Sequence, residues 1–193
     1  MNKREKQVIT FLMVILVGLN GGMLFAADGG KIRVSEPELI DETVNLFDAG
    51  DIFLSGQPEK ATLDKLASEG ITTVINIRTE EEMAIHDSQS YNEKEYVEGL
   101  NMSYIQVPVG GDAGFTAEAV AAIARGIDES EGKVLLHCRR AGRATLVWMA
   151  WLVNYRNISV NKAFDLGKSA QFSFPLEDLL GYELKMKAPK RRK

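Results

Sequence analysis

The chain has 193 residues, with 23 basic against 27 acidic side chains and a net charge of −4. That length suits one domain with one sizeable core, and the acidic balance argues against a general nucleic-acid binder. Two histidines and a single cysteine offer no spaced metal-ligand set, and no dinucleotide fingerprint is present, so neither metal nor cofactor is expected.

Residues 1–27 read as a secretory signal peptide. Lys3, Arg4 and Lys6 form a positive segment, Val8 to Leu19 an apolar one, and cleavage is expected after Ala26 or Ala27. The position three residues before either site is Leu24 or Phe25 rather than a small residue, so an uncleaved anchor is the alternative. Both readings predict export, to the periplasm or beyond. Without the leader, 20 basic and 26 acidic residues remain, a net charge of −6.

Asp28 to Pro37 is polar and reads as a loose leader into the domain, which is expected over residues 45–184. Asn45 to Leu54 carries apolar residues around Asp48-Ala49-Gly50-Asp51, the pattern of two short strands joined by a turn. Ser55-Gly56-Gln57-Pro58 is a turn. Glu59 to Glu69 places Ala61, Leu63, Leu66 and Ala67 at helical spacing, and Gly70 ends that helix. Ile71 to Ile77 is β-branched and nearly uninterrupted, as a strand buried on both faces would be. Arg78 and Thr79 follow, and Glu80-Glu81-Glu82 opens a helix, where negative charge suits the dipole.

Met102 to Val109 predicts a further strand, and Gly110-Gly111-Asp112-Ala113-Gly114 a flexible loop. Thr116 caps a helix with Val120, Ile123 and Ile127 on one face. Val134 to Leu136 is the next strand. Leu146 to Tyr155 is helical and apolar nearly all round, hence buried, with Trp148, Met149 and Trp151 as core. Val160 to Gly167 and Pro175 to Leu184 predict two short helices. The tail, residues 185–193, holds six Lys or Arg and reads as a solvated terminus, with weak contact to an anionic membrane surface as its functional alternative. Strands alternating with helices predict a single α/β domain: a mostly parallel central sheet flanked by helices. Ligands on such sheets bind beyond the C-terminal strand ends, where Arg78, Asp112 and Cys138 all fall.

The strongest chemical signal is Val134-Leu135-Leu136-His137-Cys138-Arg139-Arg140-Ala141-Gly142-Arg143. It places a thiol at the end of a strand, facing the N-terminus of a helix. Unpaired amides there, together with Arg139, Arg140 and Arg143, favour the thiolate, the nucleophilic form, and can wrap an oxyanion against it. A lone cysteine in an exported chain has no intrachain disulfide partner, which favours a chemical role; a buried inert thiol is the alternative.

These pieces, with Leu54-Ser55-Gly56-Gln57-Pro58, Thr73 to Arg78 and Val107-Pro108-Val109, resemble the bacterial branch of the cysteine-dependent, dual-specificity and tyrosine-type phosphatases. That branch includes the phosphatase-like or sulfurtransferase-like domains found beside β-lactamase-like hydrolases. The resemblance implies a cysteine-phosphatase-like fold and a phosphorylated protein or small molecule as substrate. Cys138 becomes the nucleophile and Arg143 the guanidinium that grips two oxyanion oxygens. The amides of Arg139, Arg140, Ala141, Gly142 and Arg143 become the cradle. His137 positions the thiolate or is a plain buried strand histidine. Asp112 is the general acid or a plain turn residue. Arg78 adds positive field or forms a structural ion pair.

The loop departs from the familiar phosphatase pattern. Five residues usually separate cysteine from arginine, with Ser or Thr next; here four do, Ala144 occupies the sixth position and Thr145 the seventh. The glycine expected three residues after the cysteine is Ala141. A four-residue loop opening with Cys-Arg also resembles rhodanese, whose ring suits a persulfide. Phosphomonoester hydrolysis, sulfur transfer through a Cys138 persulfide, and non-catalytic oxyanion binding are therefore three readings of one site.

Overall fold

A computed structural model describes residues 32–170, 172 and 185–187. The expected leader over residues 1–27, the helix over 175–184 and the end of the basic tail lie outside the described residues. Six strands form one sheet: β1 (Val34–Asp41), β2 (Leu46–Gly50), β3 (Ile52–Ser55), β4 (Ile71–Asn76), β5 (Ser103–Gln106) and β6 (Lys133–His137). Their order is β1-β2-β3-β6-β4-β5. The pairs β3–β6, β6–β4 and β4–β5 are parallel, and the hairpins β1–β2 and β2–β3 are antiparallel. The mostly parallel sheet is as expected. It carries an antiparallel meander along one side because short turns, not crossover helices, join its first three strands.

Helices α1 (Lys60–Ser68), α2 (Glu80–Gln89), α3 (Glu93–Gly99), α4 (Ala117–Asp128), α5 (Gly142–Tyr155) and α6 (Val160–Ser169) complete the described fold. Alternate residues of β6 sort the core into two clusters. Val134 and Leu136 pack with Ile123, Ile127, Trp148, Trp151 and Leu152 of α4 and α5. Leu135 packs with Leu63 and Leu66 of α1 and Val97 of α3. Burial on both faces explains why the inner strands read as unbroken apolar runs.

Two segments differ from the sequence expectation. Val34 to Pro37 belongs to β1 rather than to a loose leader. The Arg33 guanidinium and amide bind the Asp51 carboxylate at 2.7–3.3 Å, and Val34 is buried against the sheet, so polar composition here reflects an edge strand. Helix α3 was not expected, since Glu-Lys-Glu-Tyr-Val-Glu-Gly shows too little apolar periodicity. Asn92 caps it by accepting from the Glu95 amide, and Val97 anchors it to the core.

Candidate active site

Cys138 follows directly on β6 and is 2% exposed. Its amide donates to the Ser55 carbonyl at 3.1 Å, and the Gln57 amide donates to the Arg139 carbonyl at 3.2 Å. The Cys138 turn is thus stitched to the Ser55-Gly56-Gln57-Pro58 turn. Gly56 is needed for that approach: a Cβ there would lie 2.7 Å from the Val44 carbonyl oxygen and 3.1 Å from that of Arg139. A weak sequence motif is therefore one wall of the cysteine turn.

Beyond Cys138 the side chains of Arg139 and Arg140 are exposed. Ala141 is buried and sits at φ +64°, the left-handed region that costs an L-residue about 1–2 kcal/mol. The Gly142 amide turns inward to the Arg140 carbonyl at 2.9 Å, and the Thr145 amide closes the first turn of α5 on the Ala141 carbonyl at 2.8 Å. The tight backbone at Ala141 swings α5 so that its N-terminus faces the end of β6.

Arg143, in the first turn of α5, is held end-on. Its Nη1 donates to Glu82 Oε2 at 2.9 Å and to the Val109 carbonyl at 2.8 Å, while Nη2 donates to Glu82 Oε1 at 2.6 Å. This arrangement leaves the side-on edge, Nε–H with the second Nη2–H, directed away from Glu82. Hydrogen bonding to Glu82 raises the Arg143 pKa, burial opposes that, and the charges of Glu82 and then Cys138 raise it further. The thiol and the guanidinium are therefore electrostatic neighbours. Glu82 itself is worked on by burial, which pushes its pKa up, but bonds from Arg143 and the Thr79 amide win and hold it below the ordinary carboxylate value. Its Oε2 also accepts from the Thr79 amide at 3.0 Å while Thr79 Oγ1 accepts from the Glu82 amide, a reciprocal cap on α2. The acidic opening of α2 thus serves the cap and the arginine together.

Asp112 lies exposed in a single 3₁₀ turn, Gly111–Ala113, closed by a bond from the Gly110 amide to the Gly114 carbonyl at 2.8 Å. The turn lines a cleft with Thr79, Glu80, Glu81 and Pro108. It reaches the site through Gly110, at φ +97°, where a Cβ would stand 3.4 Å from Arg143 Nη1. Arg78 is 7% exposed; its Nη1 donates to Gln57 Oε1 at 2.6 Å and its Nη2 to the Glu82 carbonyl at 3.1 Å. It ties the wall of the cysteine turn to α2.

His137 is fully buried, and its Nε2 stands 3.1 Å from Oε1 of an equally buried carboxylate, Glu93. Glu93 accepts from Gln57 Nε2 at 3.1 Å and from Asn76 Nδ2 at 2.8 Å. Burial pushes the Glu93 pKa up, but His137 and its other partners outweigh that and leave it lowered. Sequence reasoning missed Glu82, Glu93, Gln57 and Asn76 as site residues. Gln57 and Asn76 did lie within motifs singled out there, whereas Glu93 sits in a segment that looks like any charged surface helix.

The chain matches the family model described as "Beta-lactamase hydrolase-like protein, phosphatase-like domain" over residues 47–152. No curated protein matches it. Among solved structures, TpbA of P. aeruginosa in complex with phosphotyrosine, as a cysteine-to-serine variant, is 15% identical with a TM-score of 0.57, over 76% of this chain and 86% of that one. Tk-PTP in its active form is 21% identical with a TM-score of 0.55, over 76% and 95%. Kinase associated phosphatase, carrying a catalytic cysteine-to-serine substitution, is 18% identical with a TM-score of 0.52, over 69% and 89%. At these identities the likeness is one of fold.

Proposed function

Since this chain belongs to the phosphatase-like domain family of β-lactamase hydrolase-like proteins, we propose that it is a cysteine-dependent phosphomonoester hydrolase. The observation that carries this reading is a guanidinium held end-on by Glu82 in the first turn of α5, the helix that opens just after the Cys138 turn at the end of β6. A phosphate docked on the Nε–Nη2 edge of Arg143 would present its phosphorus to the Cys138 sulfur. The thiolate attacks phosphorus, an S–P bond forms and the ester P–O bond breaks. Asp112 supplies the proton for the departing oxygen. Water then attacks the cysteinyl-phosphate, inorganic phosphate leaves and the thiolate is restored.

The phosphotyrosine bound by TpbA supports a phosphorylated substrate, protein or small molecule, for this fold. Export follows from the leader read over residues 1–27 and is tested by fractionation of cells expressing the full chain. Sulfur transfer draws on the four-residue spacing between Cys138 and Arg143, and the same experiment separates the two. The purified domain is expected to release phosphate from an aryl phosphate without added metal, and Cys138→Ser to abolish the release. Formation of thiocyanate from thiosulfate and cyanide, with no phosphate release, would replace hydrolysis by sulfur transfer. Silence in both assays would leave oxyanion binding alone.

A further inference from the structure

Glu93 is a fully buried carboxylate on α3 that no step above uses. Burying an ionised carboxylate is costly unless polar partners surround it; this one accepts from Gln57 and Asn76 and stands 3.1 Å from His137 Nε2. Each of these three side chains leads to the cysteine turn. His137 is the residue before Cys138. Gln57 gives its backbone amide to the Arg139 carbonyl, the residue after Cys138. Asn76, at the end of β4, pairs in register with His137 and also accepts from the Arg78 amide at 2.8 Å. One carboxylate therefore anchors the supports on both sides of the nucleophile, from the face of the sheet opposite α5.

We propose that Glu93 is the positioning residue of the Cys138 nucleophile. It fixes the His137 ring through the 3.1 Å contact at Nε2 and fixes Gln57 through its side-chain amide. Together these hold the backbone of residues 137–139 in the shape that presents the thiolate to Arg143 and the α5 N-terminus. The other ionisable groups facing this carboxylate are His86 of α2, Tyr91 before α3 and Tyr104 of β5. Tyr91 is held by the Pro58 carbonyl, and Tyr104 accepts from Asn76 Nδ2. Both have their pKa raised, chiefly by burial and then by the Glu93 charge, so neither competes as an anion. The inference rests on Cys138 being the reactive group and not on which reaction it performs.

Cys138 is the only cysteine and His137 one of two histidines, so each can be read singly in the intact chain. The rate of iodoacetamide alkylation reports Cys138 without any substrate. In Glu93→Gln we expect the pH profile of alkylation to move about one unit toward the alkaline side, so that on the acid side of its midpoint the rate falls about tenfold. Gln57→Leu should move it the same way by less. A merely structural Glu93 would lower the melting temperature and leave the profile of the still-folded variant in place, which would overturn the proposal. The wild type gives a second reading that survives a variant that does not fold. Nitrogen NMR is expected to show the His137 ring protonated at Nε2, and a ring protonated only at Nδ1 would overturn the proposal outright. A wild type that alkylates as expected yet releases no phosphate would sink the hydrolase reading and leave this one standing.

Discussion

The Cys138–Arg143 turn and the Gly110–Gly114 turn meet at one guanidinium, yet they are held in opposite ways. The first is tied on every side: to the Ser55 carbonyl, to the Gln57 amide, to Glu82 and, behind the sheet, to Glu93. The second is a single 3₁₀ turn with three positive-φ glycines and an exposed Asp112. Under the proposed hydrolysis the contrast would serve a division of labour, with charge stabilisation built in before substrate arrives and Asp112 brought to the leaving oxygen by its glycine-rich loop. If the contrast is real, substitutions in the first turn should cost rate for every substrate. Those in the second should cost rate only where a proton is needed.

The largest effect is expected at Arg143. Arg143→Lys keeps the charge but loses the planar fork, and Lys cannot meet Glu82, the Val109 carbonyl and an oxyanion together. By analogy with the loss of one preorganised donor, kcat should fall about 10²–10³-fold on aryl and alkyl phosphates alike. A near wild-type rate would show that the fork is not used. Asp112→Asn comes next. The loss should be about 10²-fold for an alkyl phosphate, the lower end of what positioned acids contribute, because Asp112 starts exposed. It should be small for an activated aryl phosphate, whose leaving group departs unaided. Equal losses on both would make Asp112 a plain turn residue.

A milder probe is acid. The folded pKa values of both Glu82 and Glu93 are depressed below the ordinary 4.5. Each carboxylate therefore adds stability that is fully present above that value and is lost as pH falls through the folded value. The urea midpoint should hold at neutral pH and drop below about pH 4.5, with Glu82→Gln and Glu93→Gln each removing part of the drop. An unchanged slope in both variants would mean that neither pair is formed.

The legible and illegible parts of the chain divide along a physical line. The parallel strands, the α5 helix and the Cys138 turn showed in the sequence because burial on both faces writes long apolar runs, and because a lone thiol among arginines is rare. The Thr79–Glu82 cap was half visible: the acidic run marked a helix start, but nothing in it says that Glu82 also clamps Arg143, which is 61 residues away. Glu93 left no trace. A buried carboxylate looks in sequence like a surface one, since the polar partners that justify it come from residues 57, 76 and 137 and meet only on folding. The leading edge strand was misread for a similar reason. Polar residues face outward there, and the pairing with β2 is invisible without the partner.

The smallest effect is expected at Ala141, where the family resemblance predicts a glycine and the backbone is left-handed at φ +64°. Ala141→Gly relieves about 1–2 kcal/mol of strain. Against that, glycine loosens the unfolded chain by about 0.4–1 kcal/mol, and the buried methyl is worth about 0.8 kcal/mol. The terms nearly cancel, so the unfolding free energy should move by less than about 1 kcal/mol in either direction. Ala141→Val meets the same backbone with a β-branched side chain, a conformation such residues avoid. It should destabilise the fold and slow Cys138 alkylation together, because the turn and the nucleophile share that backbone. Urea midpoints of the two variants decide the matter. A glycine variant more stable by well over 1 kcal/mol would mean that the methyl packs against little. A valine variant as stable as wild type would mean that residue 141 is not left-handed at all, and the tight turn that aims α5 at Cys138 would have to be redrawn.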